Sequence, residues 1–293
     1  MADGALADLK SILRKGWPAG LLIAVALALF LFGPVYGKLD RGNNGASLSV
    51  MTYNIWDLGG KRPVLKNVEA VVRGAGIPDV LLLQEVRGEK MAASLAGSLG
   101  FPHHLYRAAR GHGYGVSILS RYPLIESGFF YFKSSKSGRG VLGATVVFEG
   151  RKLRLCSVHL DRIDSIDVDQ QGAHLSWDEA VSLLAHETTN ETVRSRCVKE
   201  LLAWAGSDRV IIGGDFNTIF CSKAVRKMET VFEDALAGTS DYLTGTYTKS
   251  GLPVAPRLDF LFYSKELACL KAHVVRESAG DHYPVKAVFS FGS

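Results

Sequence analysis

The chain is predicted to be an α/β protein with mixed sheets, on three observations. Short apolar runs recur along it, and each meets an ionisable or amide residue where the run ends or is about to begin. Helical spacing fills intervals between them. Near the carboxy terminus three strands follow in succession, which a purely parallel sheet does not allow.

In order, Leu48-Ser-Val-Met-Thr-Tyr reaches Asn54, and Val80-Leu-Leu-Leu-Gln reaches Glu85. Between them Val64, Val68, Val71 and Val72 share one helix face. Leu153-Arg-Leu-Cys-Ser-Val reaches His159. Val193, Cys197, Leu201 and Leu202 mark a second helix, with Asn190 the expected amino-terminal cap. Arg209-Val-Ile-Ile opens into Gly213-Gly-Asp-Phe-Asn217, placing a carboxylate and a carboxamide two residues apart. Extended backbone would point Asp215 and Asn217 the same way, and the paired glycines read as room for a substrate. Leu258 leads to Asp259 ahead of Phe-Leu-Phe-Tyr, Leu270-Lys-Ala-His-Val-Val follows, and Gly280-Asp281-His282 precedes Val285-Lys-Ala-Val-Phe. Taken singly, each polar position has a structural role as a turn, a cap or a satisfied sheet rim. Six of them, all of metal-ligand or acid–base type and with no Ser/His/Asp or Cys nucleophile pattern beside them, point to one convergent site.

Residues 17–36 carry no charge and match the ~20 residues that span a bilayer. Lys10, Arg14 and Lys15 precede them, favouring an inside amino terminus and an exported domain, although Lys38 and Arg41 weaken that bias. The expected organisation is a cytoplasmic leader (1–16), a single-pass anchor (17–36), a linker (37–47) and one domain (48–293) acting as a monomer. A cleavable signal peptide is the alternative, since Leu21 to Phe32 is short enough for its apolar core. The product would then be secreted or periplasmic.

Charge says little about the partner. Residues 1–45 hold five Lys/Arg and three Asp/Glu, leaving a net +3 on the remainder, too mild to announce nucleic acid. Lys133, Lys136 and Arg139 beside Phe129-Phe-Tyr-Phe132 read first as a solvated basic turn next to a core strand, and second as a phosphate contact. The stretch from Asp161 to Leu175 reads as a long functional loop whose acids would repel a long duplex. The four cysteines show no zinc spacing; Cys156, Cys197 and Cys269 lie in apolar contexts and read as small core residues, and pairing stays open for an exported domain.

Seven segments in order carry a family resemblance. They are Met51-Thr-Tyr-Asn-Ile-Trp56, Leu83-Gln-Glu-Val86, Tyr114-Gly-Val-Ser-Ile-Leu-Ser-Arg-Tyr-Pro123, Ser157-Val-His-Leu160, Gly214-Asp-Phe-Asn217, Arg257-Leu-Asp-Phe260 and Gly280-Asp-His282. The set resembles the endonuclease/exonuclease/phosphatase, or DNase I-like, superfamily over about residues 47–293. The resemblance implies a four-layer α/β/β/α sandwich of two mixed sheets flanked by helices, preceded here by the amino-terminal span. It also implies divalent-metal hydrolysis of phosphoesters, in nucleic acid or in lipid headgroups, the alternative being a catalytically silent member that binds phosphorylated ligands.

Phosphoester hydrolysis needs an aligned, deprotonated water, stabilised phosphorus oxygens and an assisted leaving oxygen. Glu85 is expected to lead the metal site, helped by Asn54 and Asp281, because hard Mg²⁺ or Mn²⁺ prefers carboxylate oxygen. Asp215 is expected to orient or deprotonate the water, and Asn217 to donate to a phosphorus oxygen. By resemblance His159 stabilises phosphate or donates a proton, and Asp259 orients His282. Tyr114 and Arg139 are further candidate substrate contacts. Many relatives have serine where this chain has Gly280, which removes a hydroxyl beside the site. The Tyr- and Asn-bearing signature of abasic-site repair enzymes is missing.

Overall fold

Strands that are apolar on both faces must be covered on both sides, and that requirement builds the molecule. The computed structural model describes residues 45–56, 65–163, 177–249 and 255–291. The leader, the span at 17–36 and nearly all of the linker lie outside the described residues, as does 164–176 of the long loop. Among the described residues no helix is long and apolar enough to cross a membrane.

One sheet comprises β1 (Leu48–Asn54), β2 (Val80–Val86), β3 (His103–Ala108), β4 (Gly115–Ser120), β11 (Leu267–Val274) and β12 (Val285–Phe291), in the order β11-β12-β1-β2-β4-β3. The other comprises β5 (Ile125–Tyr131), β6 (Gly140–Phe148), β7 (Arg151–His159), β8 (Val210–Asp215), β9 (Glu233–Asp234) and β10 (Asp259–Tyr263), in the order β5-β6-β7-β8-β10-β9. Each is mixed: β1 runs parallel to β2 and β7 parallel to β8, while the remaining pairs are antiparallel.

Alternation assigns each side chain to a layer. Val50, Leu82, Leu155, Ile211 and Leu261 meet between the sheets. Met51, Tyr53, Leu81 and Leu83 face outward onto Val68 and Val72 of helix α1 (Leu65–Gly74) and Leu95 and Leu99 of α2 (Glu89–Leu99). On the far side Cys156, Val158, Ile212 and Phe262 pack against Val198 and Leu201 of α4 (Val193–Ala205) and Val225 and Met228 of α5 (Lys223–Glu229). A remaining helix, α3 (Trp177–Thr189), precedes α4. Each such fully buried Leu or Val contributes about 1.5–3 kcal/mol, so all three interfaces are substantial.

Several expectations need correction. The cap of α4 is Thr192, whose side chain accepts from the Ser195 N–H, not Asn190. The terminal strands are present, though β11 starts three residues earlier than its apolar run. The aromatic stretch starts on the edge strand β5, where Phe129 and Phe130 pack against the core only partly covered and Tyr131 is exposed, and only Phe132, just beyond the strand, is buried in the core. All four cysteines are free and buried, as small core residues.

Candidate active site

The apolar layer between the sheets stops at one end, and the residues continuing the same alternation are polar. Thr52, Gln84 and Ser157 come first, all fully buried. The Gln84 Nε2 donates to Thr52 Oγ1 (3.2 Å) and to Ser157 Oγ (3.1 Å), joining the sheets. Next come Asn54 on β1 and a row across the second sheet in which His159, Asp215 and Asp259 are register partners. All four are at most 3% exposed. Asn54 Nδ2 donates to Asp215 Oδ2 at 2.9 Å, so this layer too bridges the sheets.

Glu85 reaches the site by a different route. Alternation would send it outward with Leu83, but the register shifts between Gln84 and Val86, and Glu85 takes φ 62°. That bulge turns its carboxylate inward, to 3.6 Å from His159 Nε2 and 4.0 Å from Arg139 Nη1. Asn217 is also off the strand: β8 ends at Asp215, Asn217 has φ 48°, and its N–H donates to Asp215 Oδ1 at 2.8 Å. A turn, rather than continued extended backbone, brings the two side chains together. The glycines before them do not make room for substrate. A Cβ on Gly214 would stand 1.9 Å from the Val158 carbonyl oxygen, and one on Gly213 2.7 Å from Leu82 and Leu261. They admit the neighbouring strand and the opposite sheet.

Asp215 is held by Asn54, by the Asn217 N–H and by the Asn217 Nδ2 (3.2 Å). Burial raises its pKa to about 7, against the pull of nearby His282. His282 Nδ1 lies 2.7 Å from Asp259 Oδ2, so Nδ1–H donates to that carboxylate and Nε2 is aimed at the cleft, 3.8 Å from Asp215. Burial opposes charge on His282, but Asp259 and Asp215 outweigh it and lift the pKa to about 10. His159 goes the other way: burial and then the Arg139 guanidinium lower it well below the usual value. Its two carboxylate neighbours would favour the cation, yet Arg139 Nη1 occupies Nε2 as a donor, and that contact requires a neutral ring.

Arg139 is therefore not part of a solvated turn. It is 3% exposed, and its guanidinium lies 5.6 Å over the Tyr114 ring. The preceding loop is pinned by Asp161, which accepts from Ser135 Oγ, Lys136 N–H and Ser137 Oγ at 2.6–2.7 Å. This acid of the long loop serves the protein's own backbone rather than repelling a substrate. The amide hydrogens of Asn217 are likewise spent, on Leu160 O (2.9 Å) and Asp215. The Asn54 amide is used by Asp215 and by the Trp56 N–H. Both asparagines thus brace Asp215.

Asp281 faces Glu85 across a cleft that is also lined by Trp56, Arg162, Asp215, Asn217, Tyr247 and His282. Burial, reinforced by Glu85, pushes its pKa up to about 6, with His282 opposing. Its Oδ1 and that of Asp259 are buried without a partner. Crowded carboxylates with orphaned oxygens are the donor set of a hard divalent cation. Asp215, Asp259 and His282 also bring ligand-type atoms within 4.8 Å of one another, but the Asp259–His282 hydrogen bond already uses part of that group.

Sequence reasoning missed one segment. Thr246 Oγ1 accepts from the N–H groups of Leu258 (2.9 Å) and Asp259 (3.1 Å). Tyr247 packs against His282 with centroids 4.9 Å apart and the rings tilted at 47°, and Thr248 donates from N–H and hydroxyl to the Asp281 carbonyl. These three residues hold the Asp259 and His282 loops together, and no charge or period marked them. The hydroxyl absent at Gly280 has a counterpart at Ser278, which accepts from the Gly280 N–H and donates to the His282 carbonyl.

A family model described as "Endonuclease/Exonuclease/phosphatase family" matches residues 51–282. The chain belongs to that family. Family members are generally phosphoester hydrolases and commonly use a divalent metal. No curated protein matches the chain by sequence. Among solved structures, an endonuclease/exonuclease/phosphatase from Beutenbergia cavernae is similar at 20% identity and TM-score 0.64, over 85% of this chain and 72% of that one. The TDP2 of D. rerio, complexed with a single-strand DNA product, is 18% identical at TM-score 0.59, over 84% of this chain and 100% of its own. The human Nocturnin catalytic domain with bound sulfate is 19% identical at TM-score 0.59, over 84% and 94%. At these identities the likeness concerns the fold alone.

Proposed function

We propose that the protein is a divalent-metal-dependent phosphodiesterase in which Asp215 activates water and His282 stabilises the phosphoryl group. The observation that carries this reading is the braced carboxylate: Asp215 receives three hydrogen bonds and faces an imidazole held by Asp259, while burial raises its pKa. A base works best when its pKa lies close to the working pH. Glu85 and Asp281 would hold Mg²⁺ or Mn²⁺, which would supply positive charge against the phosphorus and leaving oxygens. His282, protonated through its pairing with Asp259, donates a hydrogen bond from Nε2 to a phosphorus oxygen or the leaving oxygen. Arg139 adds a fixed positive charge beside Glu85, and neutral His159 keeps that guanidinium in place. The apolar span at 17–36 tethers this domain to a membrane in the same reading, with the domain exported.

The test is hydrolysis of plasmid DNA, single-stranded DNA, RNA, sphingomyelin and phosphoinositides with Mg²⁺, Mn²⁺ or EDTA, each beside Asp215→Asn. Chelator-sensitive turnover that the variant lacks is the expected result. A folded protein that hydrolyses none of them and binds neither metal sinks the reading. Fractionation of the intact chain with membranes, at unprocessed size, checks the tether.

A further inference from the structure

Residues 160–163 leave β7 directly after His159 and meet several parts of the cleft at once. The Leu160 N–H donates to the Asp215 carbonyl at 3.0 Å, and the Leu160 carbonyl accepts from Asn217 Nδ2 at 2.9 Å. The Asp161 carboxylate holds the 135–137 loop, where Ser135 Oγ in turn accepts from the Arg139 N–H at 2.9 Å. Arg162 and Ile163 line the cleft itself. Whatever fixes this short segment therefore fixes Asp215, Asn217 and Arg139 together.

A buried ion pair that the chemistry above does not use fixes it. Arg194, in the first turn of α4, donates from Nη1 to the carbonyls of Asp161 (3.3 Å) and Arg162 (2.9 Å). Its Nε and Nη2 fork onto the carboxylate of Glu187 on α3. Glu187 Oε2 also accepts, at 3.0 Å, from the hydroxyl of Thr218, the residue after Asn217. Both charges are buried, Glu187 at 1% and Arg194 at 8% exposure. Stability gives little reason for them, because desolvation offsets the attraction within a buried pair and a cation in the first turn faces the positive end of its helix. Geometry gives a better one. A guanidinium is planar with its donors in a fixed fork, so Arg194 meets a carboxylate with two nitrogens and two carbonyls with the third.

We propose that Glu187 and Arg194 form a positioning clamp, which grips segment 160–163 on one side and the Asn217–Thr218 turn on the other and so holds Asp215 and Arg139 in one geometry. Its effect on rate rests on the phosphodiesterase reading; its effect on the two loops does not.

The experiment uses the full chain in detergent. Removing Arg194 alone would strand a buried carboxylate, so the main variant is Glu187→Gln/Arg194→Met, which removes both charges and keeps an acceptor for Thr218. Arg194→Lys, which keeps the charge without the fork, is the milder second variant, and thermal melts check that each folds. Amide hydrogen exchange in EDTA needs no turnover: the Lys136, Leu160 and Asn217 amides exchange at least about tenfold faster in the double variant, while those of Leu82 and Leu261 in the core stay unchanged. With Mg²⁺ and bis(p-nitrophenyl) phosphate, kcat falls about 100-fold and the Mg²⁺ concentration for half-activation stays within about twofold, because Glu85 and Asp281 are carried by other elements. Arg194→Lys shifts both readouts the same way by less. Arg196→Met is the control and changes neither, since that guanidinium is bonded to the Glu191 carbonyl. Unchanged protection at Leu160 and Asn217, or an equal loss across the core, overturns the clamp, and an unchanged kcat overturns its part in the reaction. Faster exchange at those amides in a protein that hydrolyses neither this diester nor the panel above refutes the phosphodiesterase reading and leaves the clamp standing.

Discussion

The two sheets contribute to one cleft in opposite ways. In the second sheet His159, Asp215 and Asp259 are neighbours in register, deeply buried, and engaged with named partners. The first sheet and the loop before β12 contribute Glu85, delivered by a bulge, and Asp281, which like Asp259 keeps one buried oxygen without a partner. Satisfied hydrogen bonds fix geometry and set protonation; unsatisfied carboxylates store negative charge for a cation. In the proposed reading the same residue types would handle protons on one side and hold a metal on the other, according to their partners.

Breaking the proton side has the largest expected effect. Asp215→Asn lowers kcat by about 10³ while the Mg²⁺ concentration for half-activation stays within a factor of a few, measured by steady-state kinetics against metal titration. Breaking the metal side reverses the pattern. Glu85→Gln raises that Mg²⁺ requirement at least about 100-fold, and saturating metal recovers part of kcat. If both variants alter metal affinity equally, the division between the sheets is wrong.

A smaller effect sharpens the proton side. Thr246→Val keeps shape but strips the acceptor from two buried N–H groups, so stability falls by about 1–3 kcal/mol in denaturant titration. In the same variant kcat falls about tenfold with KM unchanged, because Asp259 and His282 lose their shared support. Thr246→Ser restores both.

The smallest effect lies away from the cleft and tests whether burial alone explains raised carboxyl pKa values. Glu229 is pushed up to about 7 by burial and then by Asp234, with no part in the chemistry. A carboxyl that holds its proton more tightly when folded destabilises the fold as pH rises from its unfolded value, near 4.5, through 7. Glu229→Gln should therefore gain about 1–2 kcal/mol over wild type at pH 8, after allowance for partial exposure, and nothing at pH 4. Thermal melts at the two pH values check it.

Much of this was legible in the sequence, for identifiable reasons. Period-two alternation assigns Asn54, His159, Asp215 and Asp259 to one layer, and their positions at strand ends place that layer at the core's edge. The helices behind the sheets follow from Val68, Val71 and Val72, and from Cys197 and Leu201. What alternation could not supply is any residue that leaves it. Glu85 turns inward only because a bulge resets the register, and Asn217 meets Asp215 through a turn with positive φ. Arg139 reads as a surface cation until Asp161, 22 residues later, is seen pinning its loop.

The sequence by itself determined the α/β class with mixed sheets and the strand ends that carry the polar residues, through local periodicity, and its ordered motifs carried the family resemblance that implied the layer order. Only the tertiary structure decided which groups are neutral, charged or orphaned, and what Gly213, Gly214 and Thr246 are for. Those properties come from partners distant in the chain, brought together by packing two sheets face to face, and no local pattern records them.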